Sequence, residues 1–209
     1  MSEGGPIVFL LDDEPGVVVA LGRILGAKGF AIRGWTSAAA FLNTHDSETP
    51  GCLVTELYMR GMSGLEVQRA LLARGADRPV IFITGQGDVH TTVLGMKAGA
   101  VTFLTKPVAA AELIGAVREA IARDARRRAY RSEQADLGAR LARLTPRERQ
   151  VLSLLTTGLL TKQIAAELGT AERTIKTHRG HILDKMQVRN ATALWSLLYR
   201  MKSRGHQIA

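Results

Sequence analysis

The chain has 209 residues, of which 46% are hydrophobic and 22% charged, the balance of an average soluble protein of one or two domains. No apolar run is long enough for a membrane span, no basic-then-apolar leader opens the sequence, and the single cysteine, Cys52, excludes an internal disulfide, so a cytoplasmic protein without membrane contact is expected. The net charge of +9 is uneven: residues 1–122 carry 10 Lys and Arg against 12 Asp and Glu, whereas residues 123–209 carry 18 against 7, so only the second half is expected to meet a polyanion.

Ile7-Val-Phe-Leu-Leu11 is a continuous apolar run of strand length, ended by Asp12-Asp13-Glu14-Pro15. Pro15 suits the first turn of a helix whose apolar residues, Val17, Ala20, Leu21, Ile24 and Leu25, recur at helical spacing. A short strand at Ala31-Ile32 and a short helix from Ser37 to Leu42 follow. The third strand, around Leu53-Val54, ends at Glu56; after the turn Met59-Arg-Gly-Met-Ser-Gly64 a helix runs from Leu65 to Leu72. Pro79–Ile83 forms a fourth strand ending at Thr84-Gly85, Val89–Ala98 a helix, Val101–Leu104 a fifth strand ending at Lys106-Pro107, and a long helix begins near Ala109. Cys52 opens an apolar run and is expected to be packing rather than chemistry.

Short apolar strands alternating with helices predict an α/β fold with a five-stranded, doubly wound parallel sheet. Right-handed crossovers bring every strand's carboxyl end to one edge. Asp12, Asp13, Glu56, Thr84 and Lys106 occupy those ends. Carboxylates with a hydroxyl and an ammonium suit a divalent cation and a phosphoryl group. Without a cation, each pair of carboxylates about 4 Å apart repels by roughly 4 kcal/mol at an effective dielectric near 20, so Lys106 or a metal must offset them.

These residues, with Met59–Gly64, Thr84-Gly85 and Phe103-Leu-Thr-Lys-Pro107, resemble the receiver domain of bacterial two-component response regulators over about residues 6–122. The resemblance implies that Asp12, Asp13 and the backbone carbonyl of Tyr58 hold Mg²⁺, that Thr84 and Phe103 are the pair that reorients on activation, that Lys106 contacts the phosphoryl group, and that a sensor histidine kinase is the partner. Two positions depart from the pattern: Glu56 stands where the family has its phosphoacceptor Asp, and Arg60 where it usually has Pro. The extra methylene moves the carboxylate by about 1.5 Å, enough to disturb in-line attack on a phosphoryl donor. Mg²⁺ binding is expected to be weakened or absent, because Arg60 brings a competing cation.

The run Arg123-Asp-Ala-Arg-Arg-Arg-Ala129 reads as a solvated helix surface. Thr145-Pro146-Arg147-Glu148 then carries a capping box with Pro at the first helical position. Val151, Leu152, Leu154 and Leu155 form that helix's apolar face, Gly158 ends it, Thr161 caps a second helix ending at Gly169, Thr170 or Ala171 starts a third, and a fourth runs from about Ala191 to Met201. Helix, Gly turn and helix make a helix-turn-helix pattern. The third helix keeps Thr174, Lys176, Thr177, Arg179, Gly180 and His181 for its outer side, where Lys and Thr reach base edges of double-stranded DNA, while Lys162, Arg173, Arg179 and Lys185 suit phosphates.

Leu144–Leu152, Gly158–Ala165, Arg173–Arg179 and Lys185–Arg189 resemble the LuxR-type DNA-binding domain, and the tandem arrangement is similar to FixJ-type regulators. The resemblance implies that Lys176, Thr177 and Gly180 face bases and that the fourth helix forms a homodimer on DNA, with Leu194, Leu198 and Met201 either on that face or in the core. The expected organisation is a receiver over 1–122, a helical linker over 123–144 and an all-α DNA-binding domain over 145–209. The expected function is a transcription regulator, not an enzyme, with output constitutive through phosphate mimicry by Glu56 or set by another input. The alternatives are a conventional switch phosphorylated elsewhere, such as on Asp12 or Asp13, and a receiver that serves only as a protein-interaction module. A phosphohydrolase is disfavoured because it would leave the DNA-binding half idle.

Overall fold

The structure is a computed structural model that describes residues 5–85, 93 and 95–202. Five strands, β1 (Ile7–Leu11), β2 (Ala31–Trp35), β3 (Gly51–Glu56), β4 (Val80–Thr84) and β5 (Thr102–Thr105), form one sheet in the order β2-β1-β3-β4-β5. Every pairing is parallel. Helices α1 (Pro15–Gly26), α2 (Ala38–Thr44) and α3 (Gly64–Ala73) are the crossovers, and α4 (Ala110–Ala142) leaves the sheet. Of the helix expected over Val89–Ala98, residues 93 and 95–97 are helical and residues 86–92 and 94 lie outside the described residues.

The alternating pleat divides each strand between two cores. Val8, Leu10, Val54, Ile81 and Ile83 face one side, where Leu21 and Leu25 of α1 and Leu113, Val117 and Ala120 of α4 cover them. Phe9, Leu11, Leu53 and Phe82 face the other, under Phe41 and Leu42 of α2 and Val67 and Leu71 of α3. Burial on both faces explains why β1, β3 and β4 read as unbroken apolar runs. Cys52 is fully buried in β3, and burial pushes its thiol up to about 12, which makes it an unreactive packing residue.

The chain divides into two compact units, 1–129 and 130–209. The stretch 123–144, expected as a linker, is therefore shared between them, and most of it lies within the one helix α4. The basic run is not simply a solvated surface either. Asp124 is buried and accepts the Gly51 amide at 2.8 Å. Arg128 pairs with Asp124 at 2.8 Å and donates to the carbonyls of Ser47, Glu48 and Thr49. Arg127 pairs with Asp77. Beside them Arg78 is buried, 4.2 Å from the Phe9 ring centroid, and donates to the Asp46 and Thr49 carbonyls. Arg128→Ala strands the buried Asp124 carboxylate and frees three carbonyls, so the first unit should lose about 3 kcal/mol, read from denaturant unfolding.

The second unit packs α5 (Pro146–Thr156), α6 (Thr161–Glu167), α7 (Glu172–Lys185) and α8 (Ala191–Lys202) around Val151, Leu152, Ile164, Ile175, Ile182 and Met186. Leu137 and Leu144 belong to the same core, and Arg140 donates to the Met186 carbonyl at 3.0 Å, so this unit begins before residue 145. The capping box is present: Thr145 Oγ1 accepts the Glu148 amide, and Glu148 Oε2 accepts the Thr145 amide at 2.7 Å. Thr161 does not cap α6. Leu160 holds that position, its amide donating to Gln163 Oε1 at 2.8 Å, while the Thr161 hydroxyl accepts from Arg179 at 2.6 Å. Leu194 is buried in this core, which leaves Trp195 and Tyr199 as the exposed large residues of α8; the side chains of Leu198 and Met201 lie outside the described residues. No described helix is long and apolar enough to cross a membrane.

Candidate functional site

The parallel order places the carboxyl ends of β1, β3, β4 and β5 along one edge of the sheet. Asp12, Glu56 and Thr84 are buried there. Glu56 is fixed by its own turn, since its Oε1 accepts the amides of Leu57 at 2.8 Å and Tyr58 at 3.2 Å. Its Oε2 pairs with Lys106 Nζ at 2.6 Å. The same ammonium lies 2.9 Å from Asp12 Oδ2, while Asp12 Oδ1 accepts the Glu14 amide at 2.9 Å. Lys106 thus stands where two buried carboxylates converge and engages one oxygen of each. Burial disfavours its charge, but the hydrogen bonds it donates to Glu56 and Asp12 outweigh that and raise its pKa above 10.5.

Backbone contacts hold these groups in place. The Lys106 amide donates to the Thr84 carbonyl at 2.8 Å, locking the end of β5 to that of β4. The Gly64 amide donates to the Leu57 carbonyl, and a Cβ on Gly64 would sit 2.5 Å from the Glu56 carbonyl oxygen, so the turn closes only with glycine here. Ser63 caps α3 in a full capping box with Glu66. Asp13 is tied to Arg60 through the Arg60 amide at 3.2 Å and through Nε at 3.4 Å. The Arg60 side chain is 92% exposed, so this ion pair is weak. Tyr58 is exposed, with its amide on Glu56. Phe103 is half-buried and stacked on Phe82, ring centroids 4.8 Å apart, and it fills the space that a side chain at residue 95 would need. The five strand-end groups named from sequence are therefore at one edge, with Lys106, Asp12 and Glu56 in direct contact and Asp13 paired outward. The sharing of one Lys by two acids left no local sequence signal; it follows from strand order and side-chain length.

In the second unit, Lys162, Arg173, Thr174, Lys176, Thr177 and Gly180 are all exposed, the last five along α7. Thr177 Oγ1 bonds back to the Arg173 carbonyl at 3.1 Å. Two of the expected contacts are turned to structural use. Arg179 is half-buried on Thr161, and Lys185 Nζ pairs at 2.7 Å with Glu148 Oε2. Glu148 is only 2% exposed. Burial opposes its ionisation, yet the Lys185 ammonium and the amide and hydroxyl of Thr145 outweigh that and lower its carboxyl to about 2. The capping box was visible in the sequence; the burial of its Glu and the Lys185 partner 37 residues away were not.

Residues 8–118 match the family model described as response regulator receiver domain, and residues 142–198 match that of bacterial regulatory proteins of the luxR family. The chain is 38% identical over 202 residues to the response regulator protein TodT of Pseudomonas putida, covering 97% of this chain and 89% of that protein. It is 42% identical over 187 residues to the transcriptional regulatory protein FixJ of Azorhizobium caulinodans, covering 90% and 88%. Among solved structures it superposes on the response regulator StyR with a TM-score of 0.87 and 41% identity, covering 94% of this chain and all of that one. Full-length FixJ from B. japonicum matches with a TM-score of 0.58 and 33% identity over 95% and 98% of the two chains.

Proposed function

Because the chain belongs to the FixJ/NarL-type two-component response regulators, DNA-binding proteins built from a receiver and a LuxR-type domain, we propose that Glu56 takes the place of a phosphorylated residue and sets the output without phosphotransfer. The observation that carries this reading is the 2.6 Å contact between Glu56 Oε2 and Lys106. The carboxylate reaches the ammonium that a phosphoryl group would otherwise engage. Its other oxygen is held by two backbone amides, so the side chain is not free to act as a nucleophile toward a donor. The mimicry is partial, since a carboxylate carries one charge where phosphate carries nearly two and three acceptor oxygens. Phe103, half-buried and stacked on Phe82, is in the arrangement this state stabilises.

Receiver domains bind Mg²⁺ at this acidic pocket. Here Asp12, Asp13 and the Tyr58 carbonyl would hold it, but Asp12 and Glu56 each already give one oxygen to Lys106. The donor set as arranged fits the ion poorly, so Mg²⁺ binding is weak, and no part of this reading depends on it. On DNA, Thr174, Lys176 and Thr177 of α7 reach base edges, Gly180 lets the helix approach closely, and Lys162 and Arg173 contact phosphates. Arg179 and Lys185 support that helix from inside.

The test compares wild type, Glu56→Asp and Glu56→Ala for affinity to DNA selected with the wild type, with and without a small acyl-phosphate donor and Mg²⁺. Wild type should bind independently of donor and gain no phosphoryl mass. Glu56→Ala should bind at least about tenfold more weakly, and Glu56→Asp should become donor-dependent. A stoichiometric phosphoryl group on the wild-type receiver, mapped to Glu56, Asp12 or Asp13, overturns the proposal, as does equal affinity of all three proteins.

A further inference from the structure

His178 and His181 lie one turn apart on α7, and both reach Glu148 at the start of α5. One ring nitrogen of each histidine and one Glu148 carboxylate oxygen are all within 4.8 Å of one another. His181 Nδ1 is 3.7 Å from Glu148 Oε1, too far for a hydrogen bond. His178 Nδ1 is buried and has no hydrogen-bond partner, an uncompensated cost unless something binds it. Glu148 Oε2 is already held by Lys185 and by the Thr145 amide, which orients the carboxylate and leaves Oε1 toward His181.

We propose that Glu148, His178 and His181 form a binding site for a divalent transition-metal ion of the Zn²⁺ class. Two imidazoles and one carboxylate are the donors such an ion prefers, whereas Mg²⁺ and Ca²⁺ take oxygen alone. Tetrahedral bonds of about 2.1 Å put ligand atoms about 3.4 Å apart. The separation here is within reach by rotation of His181, whose side chain is 57% exposed. Lys185 and Thr145 act as the outer hydrogen-bonding partners that hold the carboxylate ligand, and the fourth position is left for water. Bound metal ties the DNA-facing helix α7 to α5. Its three ligands are not among the residues given base or phosphate contacts under the proposed function, and Lys185, engaged with Glu148, serves the site rather than DNA.

The test titrates Zn²⁺ into the untagged full chain against a competing fluorescent chelator, for wild type, His181→Ala and His178→Gln. Receiver acids and the remaining histidines are common to all three proteins and cancel in the difference. Wild type should bind one Zn²⁺ with a Kd near or below about 10 μM, each variant at least about tenfold more weakly. Co²⁺ in place of Zn²⁺ should give the intense visible absorption of a four-coordinate site in wild type and lose it in His181→Ala, whose exposed position leaves the fold unchanged. Equal Zn²⁺ affinity of wild type and both variants, or no wild-type binding at about 0.1 mM ion, overturns the proposal.

Discussion

Lys106→Met should lower the stability of the receiver unit by about 3 kcal/mol, measured as the shift in its denaturant midpoint. The ammonium makes two short charge-assisted contacts, to Glu56 at 2.6 Å and to Asp12 at 2.9 Å. Both acids are buried, so removing their shared cation leaves two carboxylates facing each other in a poorly solvated pocket. The Lys side chain is itself 25% exposed, which puts the loss toward the lower end for a broken buried pair. The sign with pH is fixed by the raised pKa of Lys106: its contribution is complete below pH 10.5 and fades as pH rises through the higher folded-state value. Two companion measurements separate this account from simple loss of packing. Glu56→Gln added to Lys106→Met should recover at least half of the lost stability. Mg²⁺ should stabilise Lys106→Met measurably and wild type little, because the variant frees oxygens of Asp12 and Glu56. If the double variant is no more stable than the single one, the carboxylates are not in conflict and Lys106 is a packing residue.

The grouping of Asp12, Glu56, Thr84 and Lys106 was legible because strands buried on both faces announce themselves as unbroken apolar runs, and the crossover rule then sends all their carboxyl ends to one edge. The pairing inside the group was legible only in part: the need for Lys106 to offset the carboxylates could be read, but not that it binds Glu56 and Asp12 at once. Which acid meets Lys106 depends on β1 lying between β2 and β3, and on the reach of Glu against Asp. The same limit explains the other differences. Nothing near Arg128 in the chain announces the Ser47–Thr49 carbonyls about 80 residues before it, so a run of arginines looked solvated. Arg78 has no local pattern that marks it as buried against Phe9. Thr161 carried a good capping residue's chemistry, but Arg179 claimed its hydroxyl and Gln163 took over the helix start. In the helical unit the spacing of Val151, Leu152 and Leu155 gave the core directly, while the inward turn of Lys185 required knowing that Glu148 is buried. Periodicity reports which face is inside; it does not report which charged groups are drawn in with it.

Glu148→Ala should destabilise the DNA-binding unit by about 4 kcal/mol and reduce DNA binding with it. Three losses contribute. The capping box disappears, which costs about 1 kcal/mol because the Thr145 amide loses its acceptor. Lys185, with its side chain 29% exposed, keeps an ammonium beside the core without its 2.7 Å partner. The volume of a side chain only 2% exposed is emptied at the junction of α5 and α7. The acid limb of stability gives an independent reading. Glu148 is held near a pKa of about 2 in the fold against an ordinary value of 4.5, so its contribution is present above pH 4.5 and is lost as pH falls from 4.5 toward 2. Hydrogen exchange followed by mass spectrometry resolves the two units separately. Wild type should lose protection in α5 and α7 over that acid window, and Glu148→Ala should start lower at neutral pH and show a flatter dependence. Glu148→Gln, which retains a hydrogen-bonding side chain but not the charge, should fall between them. Were Glu148→Ala as stable as wild type at pH 7, the ion pair with Lys185 would be neutral in the balance, and Lys185 would be free to serve as the phosphate contact that its place at the end of α7 first suggested.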